Sequence, residues 1–93
     1  MMMMKKIRGH ESAAARFIVD ENNNLRGLRS YSTTVITIDE NGWMTVHGLY
    51  SRTTIKHIGW LMRELGLSYY TAKDCYLNDI EMNLHTGEIR NRV

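Results

Sequence analysis

The feature that most restricts the fold is a turn sequence, Asp39-Glu40-Asn41-Gly42, between two runs of strand-forming residues. Tyr, Thr, Val and Ile are concentrated over residues 29–38, and residues 43–47 continue this pattern after the turn. β-Branched and aromatic residues favour strands, and Asn-Gly is typical of hairpin turns. The pattern predicts a β-hairpin, and we prefer a four-residue loop because it places Val35 opposite Val46.

Two helices are predicted after this hairpin. Hydroxyl-bearing residues at 51–54 can start the first helix, and apolar residues then recur at helical spacing, namely Ile55, Ile58, Leu61, Met62 and Leu65. Gly66 stands where a left-handed cap would end that helix. Ser68 can cap a second helix that extends to about Asn78.

Two further hairpins flank this central part. Residues 17–19 and 25–28 form the first, separated by a run of turn-favouring residues, and residues 80–84 and 89–93 form the last. A chain of 93 residues with 43% hydrophobic residues can bury one modest core. The sequence therefore predicts one small α+β domain with antiparallel hairpins and two short helices in the order β-β-α-α-β-β.

The N-terminal residues have a different composition. Residues 1–16 carry four Lys or Arg side chains against one acid, Glu11, and few large apolar groups apart from methionines and Ile7. Such a segment cannot bury enough apolar surface to order itself. We expect a flexible N-terminal arm over residues 1–16 and a folded domain over residues 17–93.

Charge and cysteine content restrict the compartment and the partners. The formal net charge of +2 is too small to indicate nucleic-acid binding by itself, and too positive for a protein that imitates DNA phosphates. The single cysteine, Cys75, cannot form an internal disulfide, which suits a reducing cytoplasm. No apolar run approaches the roughly 20 residues of a membrane span. We expect a cytoplasmic protein.

Motifs for catalysis, metal binding and phosphate binding are absent from the sequence. Cys75 lies in a predicted helix without a neighbouring base, and the four histidines lack the spacing of a zinc site. No glycine-rich phosphate loop is present. These observations predict a protein that is not an enzyme, with no catalytic residues, no metal site and no cofactor.

The segment from Leu61 to Ala72 looks like a helix-turn-helix, in which a glycine turn separates a first helix from a recognition helix. On this hypothesis the protein is a small DNA-binding regulator, which would need to form a homodimer. The side chains facing the duplex would be Ser68, Tyr69, Tyr70, Thr71 and Lys73. Lys73 is the only cation in that helix and is opposed by Asp74, which counts against DNA binding.

Aromatic and cationic residues suggest a different surface. Exposed Tyr, Trp and Arg dominate protein interfaces. Helical spacing places Trp60 partly off the apolar stripe, close to Lys56 and His57. The predicted partner-binding residues are Tyr31, Tyr50, Arg52, Lys56, His57, Trp60 and Tyr70.

Two motifs carry a family resemblance: Tyr-Ser-x-Thr at residues 31–34, and Tyr-Ser-x-Thr-Thr followed by Lys-His-Ile at residues 50–58. They resemble a pattern in small uncharacterised proteins encoded by bacteriophages and related mobile elements. The resemblance implies an accessory protein that works inside a bacterial host cell. Short accessory genes of such elements often encode inhibitors of bacterial defence, including anti-CRISPR proteins. The implied partner is a host defence protein, for example a CRISPR effector.

Overall fold

The computed structural model describes residues 1–92, which form seven strands and two helices. The strands are β1 (Met3–Lys6), β2 (Ala15–Val19), β3 (Leu25–Ser30), β4 (Thr33–Ile38), β5 (Trp43–Val46), β6 (Ile80–Asn83) and β7 (Ile89–Asn91). The helices are α1 (Arg52–Glu64) and α2 (Tyr69–Leu77), and both lie between β5 and β6. All seven strands form one antiparallel sheet in chain order. The predicted α+β class is confirmed.

The order of elements differs from the predicted β-β-α-α-β-β, because five strands precede the helices. One additional strand is β1. The boundary between β3 and β4 also differs, because residues 29–38, which look like one strand, are divided between these two strands by a tight turn. Ser30 pairs with Thr33 across this turn, and Tyr31 adopts a left-handed backbone with φ of 54°. Tyr31 and Ser32 form this turn, and because neither is Gly or Asn, the sequence does not indicate a turn here.

The N-terminal segment also differs from the predicted flexible arm over residues 1–16. Strand β1 pairs with β2 along its whole length, and Ile7 is only 4% exposed. The imidazole of His10 stacks on the indole of Trp60 with ring centroids 3.7 Å apart. The folded domain therefore includes these residues instead of beginning at residue 17.

The β4–β5 hairpin is present, but its predicted register is wrong. Val46 lies opposite Ile36, not Val35. Gly42 adopts φ of 91°, and its N–H donates to the carbonyl of Asp39. The N–H of Asp39 donates to the carbonyl of Trp43, so residues 40–42 form a three-residue loop that ends in a left-handed glycine. The Asp39 carboxylate accepts from the Trp43 backbone N–H and fixes the turn.

The helix boundaries follow the predicted signals. The hydroxyl of Ser51 accepts from the backbone N–H of Thr54, which caps α1. Helix α1 ends before Gly66, which has φ of 73°. The N–H of Leu67 then donates to the carbonyl of Met62 over 2.7 Å. Helix α2 and the β6–β7 hairpin are also present, although Val93 lies outside the described residues.

The core lies between the helices and one face of the sheet. The largest fully buried side chains come from both layers, namely Leu28, Ile36, Met44, Ile58, Leu61 and Met62. Lateral pairing places Phe17, Leu28, Ile36 and Val46 on this same face of the sheet. Neither helix within residues 1–92 has the length and apolar character that crossing a membrane requires.

Candidate partner-binding surface

Three buried polar side chains join the sheet to α1. The Ser30 hydroxyl lies 3.1 Å from the Thr54 hydroxyl and 2.7 Å from Nδ1 of His57, and all three residues are buried. Buried polar groups are tolerated when their hydrogen bonds are satisfied. This network fixes the β3–β4 turn beside the first half of α1.

His57 was predicted to contact a partner, and this prediction is wrong. Its side chain is only 2% exposed, because it lies between the sheet and α1. The imidazole is tilted against the rings of Trp60 and Tyr31, with centroid distances of 5.0 and 5.9 Å. The sequence places His57 off the apolar stripe but does not show that Ser30 approaches it. His57 is therefore an internal anchor.

Tyr31 and Tyr50 are exposed at the same end of α1. Tyr31 precedes β4 beside the Ser30 network, and Tyr50 directly precedes the residue that caps α1. Their side chains are 59% and 62% exposed. Both have φ of 54°, a left-handed conformation that is rare for bulky residues. The ring of Tyr50 packs so closely on Gly48 that a Cβ there would lie 2.6 Å from its Cζ.

The first half of α1 completes this surface. Arg52 and Lys56 are exposed, and the ammonium of Lys56 lies 5.9 Å from the centre of the Trp60 ring. Trp60 itself is half-buried, since His10 covers one face of its indole. We call Tyr31, Tyr50, Arg52 and Lys56, with the accessible part of Trp60, the tyrosine surface.

Tyr70 is exposed but does not belong to this surface. It lies in the first turn of α2, beyond the opposite end of α1. A helix of 13 residues is about 20 Å long. The structure therefore brings together Tyr31, Tyr50, Arg52, Lys56 and Trp60 but separates Tyr70 from them.

The residues of the helix-turn-helix hypothesis lie on and before α2. Ser68 and Tyr70 are exposed, whereas Tyr69, Thr71 and Lys73 are half-buried. The rings of Tyr69 and Tyr70 are tilted against each other at 5.8 Å. Asp74 is exposed next to Lys73, so the two charges of α2 cancel. The two-helix shape is present, but its second helix presents no cationic face.

Groups with catalytic potential are enclosed. Ser30 and His57 have the spacing of a nucleophile and its base, yet both are 2% exposed, so a substrate cannot reach the hydroxyl. Cys75 is 3% exposed, and burial raises the pKa of its thiol, which lowers its reactivity. Within residues 1–92 no three His, Cys, Asp or Glu side chains are grouped for a metal ion.

Comparison with known proteins gives one match. A family model described as a family of unknown function, DUF8033, matches residues 2–81, which covers β1 to the beginning of β6. The chain belongs to the DUF8033 family. No curated protein and no solved structure matches it. The match to DUF8033 includes the whole tyrosine surface, and it assigns no function to it.

The anchoring role of His57 predicts how the stability of this DUF8033 protein depends on pH. Burial, followed by the nearby charges of Lys56 and His10, lowers the pKa of His57 below its ordinary value of 6.5. Folding therefore favours the neutral imidazole, so stability is fully present above about pH 6.5 and is lost as the pH falls below it. Burial also lowers the pKa of His47, which acts in the same direction.

We expect the melting temperature to fall between pH 7 and pH 5. A His57→Gln variant should lose part of this dependence, whereas replacement of the exposed His85 should retain all of it. Melting curves at intervals of about half a pH unit measure the effect. Glu81, whose pKa is lowered by its bonds to Thr45 and Arg90, acts only at more acidic pH. Identical slopes for wild type and His57→Gln would contradict the assignment.

Proposed function

We propose that this protein is a non-catalytic binding module that uses the tyrosine surface to contact another protein. The observation that carries the proposal is the pair of exposed tyrosines, Tyr31 and Tyr50, both held at φ of 54°. A left-handed backbone costs free energy for a bulky residue, and such strain concentrates at functional sites. Tyr31 forms the β3–β4 turn and Tyr50 precedes the cap of α1, and both rings nevertheless remain more than half exposed.

The chemistry of the neighbouring groups supports a protein partner. Tyr and Arg are enriched among the residues that contribute most to interface affinity. A tyrosine supplies a large contact area with only two side-chain torsions to immobilise, and its hydroxyl can form a hydrogen bond at the rim. Arg52 and Lys56 would surround this aromatic centre with positive charge. The complementary partner surface carries apolar hollows bordered by acidic groups.

The partner class comes from the family resemblance of residues 31–34 and 50–58. Small proteins of bacteriophages and mobile elements contain this pattern, and the second motif spans most of the tyrosine surface. We therefore propose a host defence protein as the partner, with inhibition of a CRISPR effector as the first activity to test. The proposed site of action is the cytoplasm of the bacterial host. The regulator hypothesis gains no support from α2, whose charges cancel.

The test is a double substitution that removes both rings but keeps the backbone. Asparagine tolerates the left-handed conformation better than most residues, so Tyr31→Asn/Tyr50→Asn should fold as well as wild type. We expect wild type to protect a target plasmid in cells with an active CRISPR system, and the double variant to lose at least about tenfold of this protection. A tenfold loss of affinity for the effector would correspond to about 1.4 kcal/mol of binding free energy.

The matched control is Tyr70→Ala, because Tyr70 is similarly exposed at 68% but lies beyond the far end of α1. Affinity capture of the effector with the three proteins should give the same order as plasmid protection. Retained protection by a folded double variant would exclude the tyrosine surface. Absence of protection by wild type against several CRISPR types would exclude inhibition of those effectors as its function.

A further inference from the structure

A row of cations crosses three strands on the face of the sheet that the helices do not cover. Lys6 of β1 lies directly opposite Arg16 of β2, which lies directly opposite Arg29 of β3. Directly paired residues share one face of a sheet. The adjacent Ser30 points to α1 through its bonds with Thr54 and His57, so the row faces away from the helices. We call Lys6, Arg16 and Arg29 the basic row.

The basic row forms no ion pair among the described residues. Within the described chain, no carboxylate oxygen lies within 4.0 Å of its three charged groups. Arg16 donates to the backbone carbonyls of Ala13 and Ala15 at 2.8 and 2.7 Å, which orients its guanidinium without neutralising it. Like charges directly opposite each other destabilise a sheet. An arrangement that costs stability and forms no direct ion pair points to an external anion.

The fold places acidic and basic residues towards opposite ends of the sheet, which the net charge of the chain does not reveal. Because the strands alternate in direction, the β2–β3 and β4–β5 loops meet at one end of the sheet. Those loops carry four acids, namely Asp20, Glu21, Asp39 and Glu40. The basic row lies towards the other end, where Glu11 is the one acid of the β1–β2 loop. A formal net charge of +2 therefore coexists with a strongly positive region.

Next to the basic row, the central strands β3, β4 and β5 present small and polar residues, and Met4 and Ile18 continue this line on β1 and β2. Gly27 lies opposite Thr37, and Thr37 lies opposite Thr45, which places one glycine and two threonines side by side. The core of a protein–protein interface is depleted in charged residues and enriched in aromatic ones. Nucleic-acid interfaces are instead polar and rich in positive charge. The cations of the basic row, with Thr37 and Thr45 on the same face, match the second type.

We propose that the basic row binds the phosphate backbone of nucleic acid without regard to sequence. Guanidinium groups form paired hydrogen bonds with phosphate oxygens, and the lysine adds a third positive charge. Adjacent strands are about 4.8 Å apart, so the row spans about 10 Å and can contact successive phosphates. The basic row adjoins the tyrosine surface where Nε of Arg29 donates to the backbone carbonyl of Tyr31 over 3.3 Å. Nucleic-acid binding goes beyond the protein-binding function proposed above.

The experiment measures fluorescence anisotropy of labelled DNA of about 20 nucleotides, single-stranded and duplex, at about 50 and about 200 mM salt. Three phosphate contacts predict that wild-type affinity falls about 20- to 40-fold between these salt concentrations. The Lys6→Gln/Arg16→Gln/Arg29→Gln variant should lose this salt-sensitive binding. The control Lys56→Gln/Arg63→Gln/Lys73→Gln changes the net charge equally on the helical side and should bind as wild type does.

A second variant tests whether loss of binding by the sheet triple variant results from misfolding. Lys6→Gln/Arg29→Gln keeps the bonds of Arg16 to the backbone and should reduce the salt slope by about 2. The Tyr31→Asn/Tyr50→Asn variant should bind DNA normally, which separates this proposal from the tyrosine surface. Absence of binding at low salt, equal losses in the sheet and helix triple variants, or equal competition by anionic lipid vesicles would each overturn the proposal.

Discussion

Replacement of Gly27 with alanine is expected to lower the free energy of unfolding by at least about 3 kcal/mol. Gly27 lies at a register shift between β2 and β3 and has φ of 155°, which L side chains rarely adopt. A Cβ at this position would lie 2.2 Å from the carbonyl oxygen of Ile36 in the adjacent strand. Because that atom belongs to the backbone of a central strand, the clash cannot be relieved by side-chain rotation.

Gly59→Ala is the matched control for this experiment. Gly59 lies inside α1, and no atom would lie within 4 Å of an added Cβ. Alanine is favoured over glycine in helices, so the control should gain up to about 1 kcal/mol. Thermal unfolding should place the Gly27→Ala midpoint at least about 12 °C below wild type and the control a few degrees above it. A Gly27→Ala midpoint within about 4 °C of wild type would show that the Ile36 carbonyl does not obstruct a side chain at this position.

Local signals account for the parts of the fold that the sequence predicts. Asn41-Gly42 and Gly66 each require a left-handed backbone, and the structure has φ of 91° at Gly42 and 73° at Gly66. Ser51 caps α1 as expected. Turns and caps depend on residues within a few positions of each other, so the pattern of side chains is sufficient to locate them.

The incorrect predictions share a different physical cause. The turn at Tyr31 uses a left-handed tyrosine, and the segment before β2 is ordered by the burial of Ile7 and the stacking of His10 on Trp60. Each depends on tertiary contacts that outweigh local preference. The hairpin register likewise depends on a three-residue loop that ends at the left-handed Gly42, which apolar matching alone cannot detect.

The candidate sites also divide into one that local sequence predicts and one that depends on tertiary structure. Tyr50, Arg52 and Lys56 are close in sequence, so helical spacing predicts their common surface. The basic row consists of residues 10 and 13 positions apart, and only strand pairing places them side by side. A small net charge consequently gave no indication of it. His57 was misassigned because its partner, Ser30, lies 27 residues earlier.

Replacement of His57 with alanine is expected to lower the free energy of unfolding by about 2–4 kcal/mol. The substitution removes a buried ring that lies against Trp60 and also removes the hydrogen bond to the Ser30 hydroxyl. The neighbouring Lys56→Ala changes an exposed helical residue and should remain within about 0.5 kcal/mol of wild type. Chemical denaturation of the three proteins measures this difference.

A double-mutant cycle then separates the hydrogen bond from the packing of the ring. Ser30→Ala deletes the same bond from the other side, while Thr54 retains its second contact with Ser51. If the bond links the sheet to α1, the double variant Ser30→Ala/His57→Ala should be more stable than the sum of the single effects by about 1 kcal/mol. Strict additivity would show that His57 stabilises the site by packing alone, and the position of Tyr31 beside α1 would then not depend on this bond.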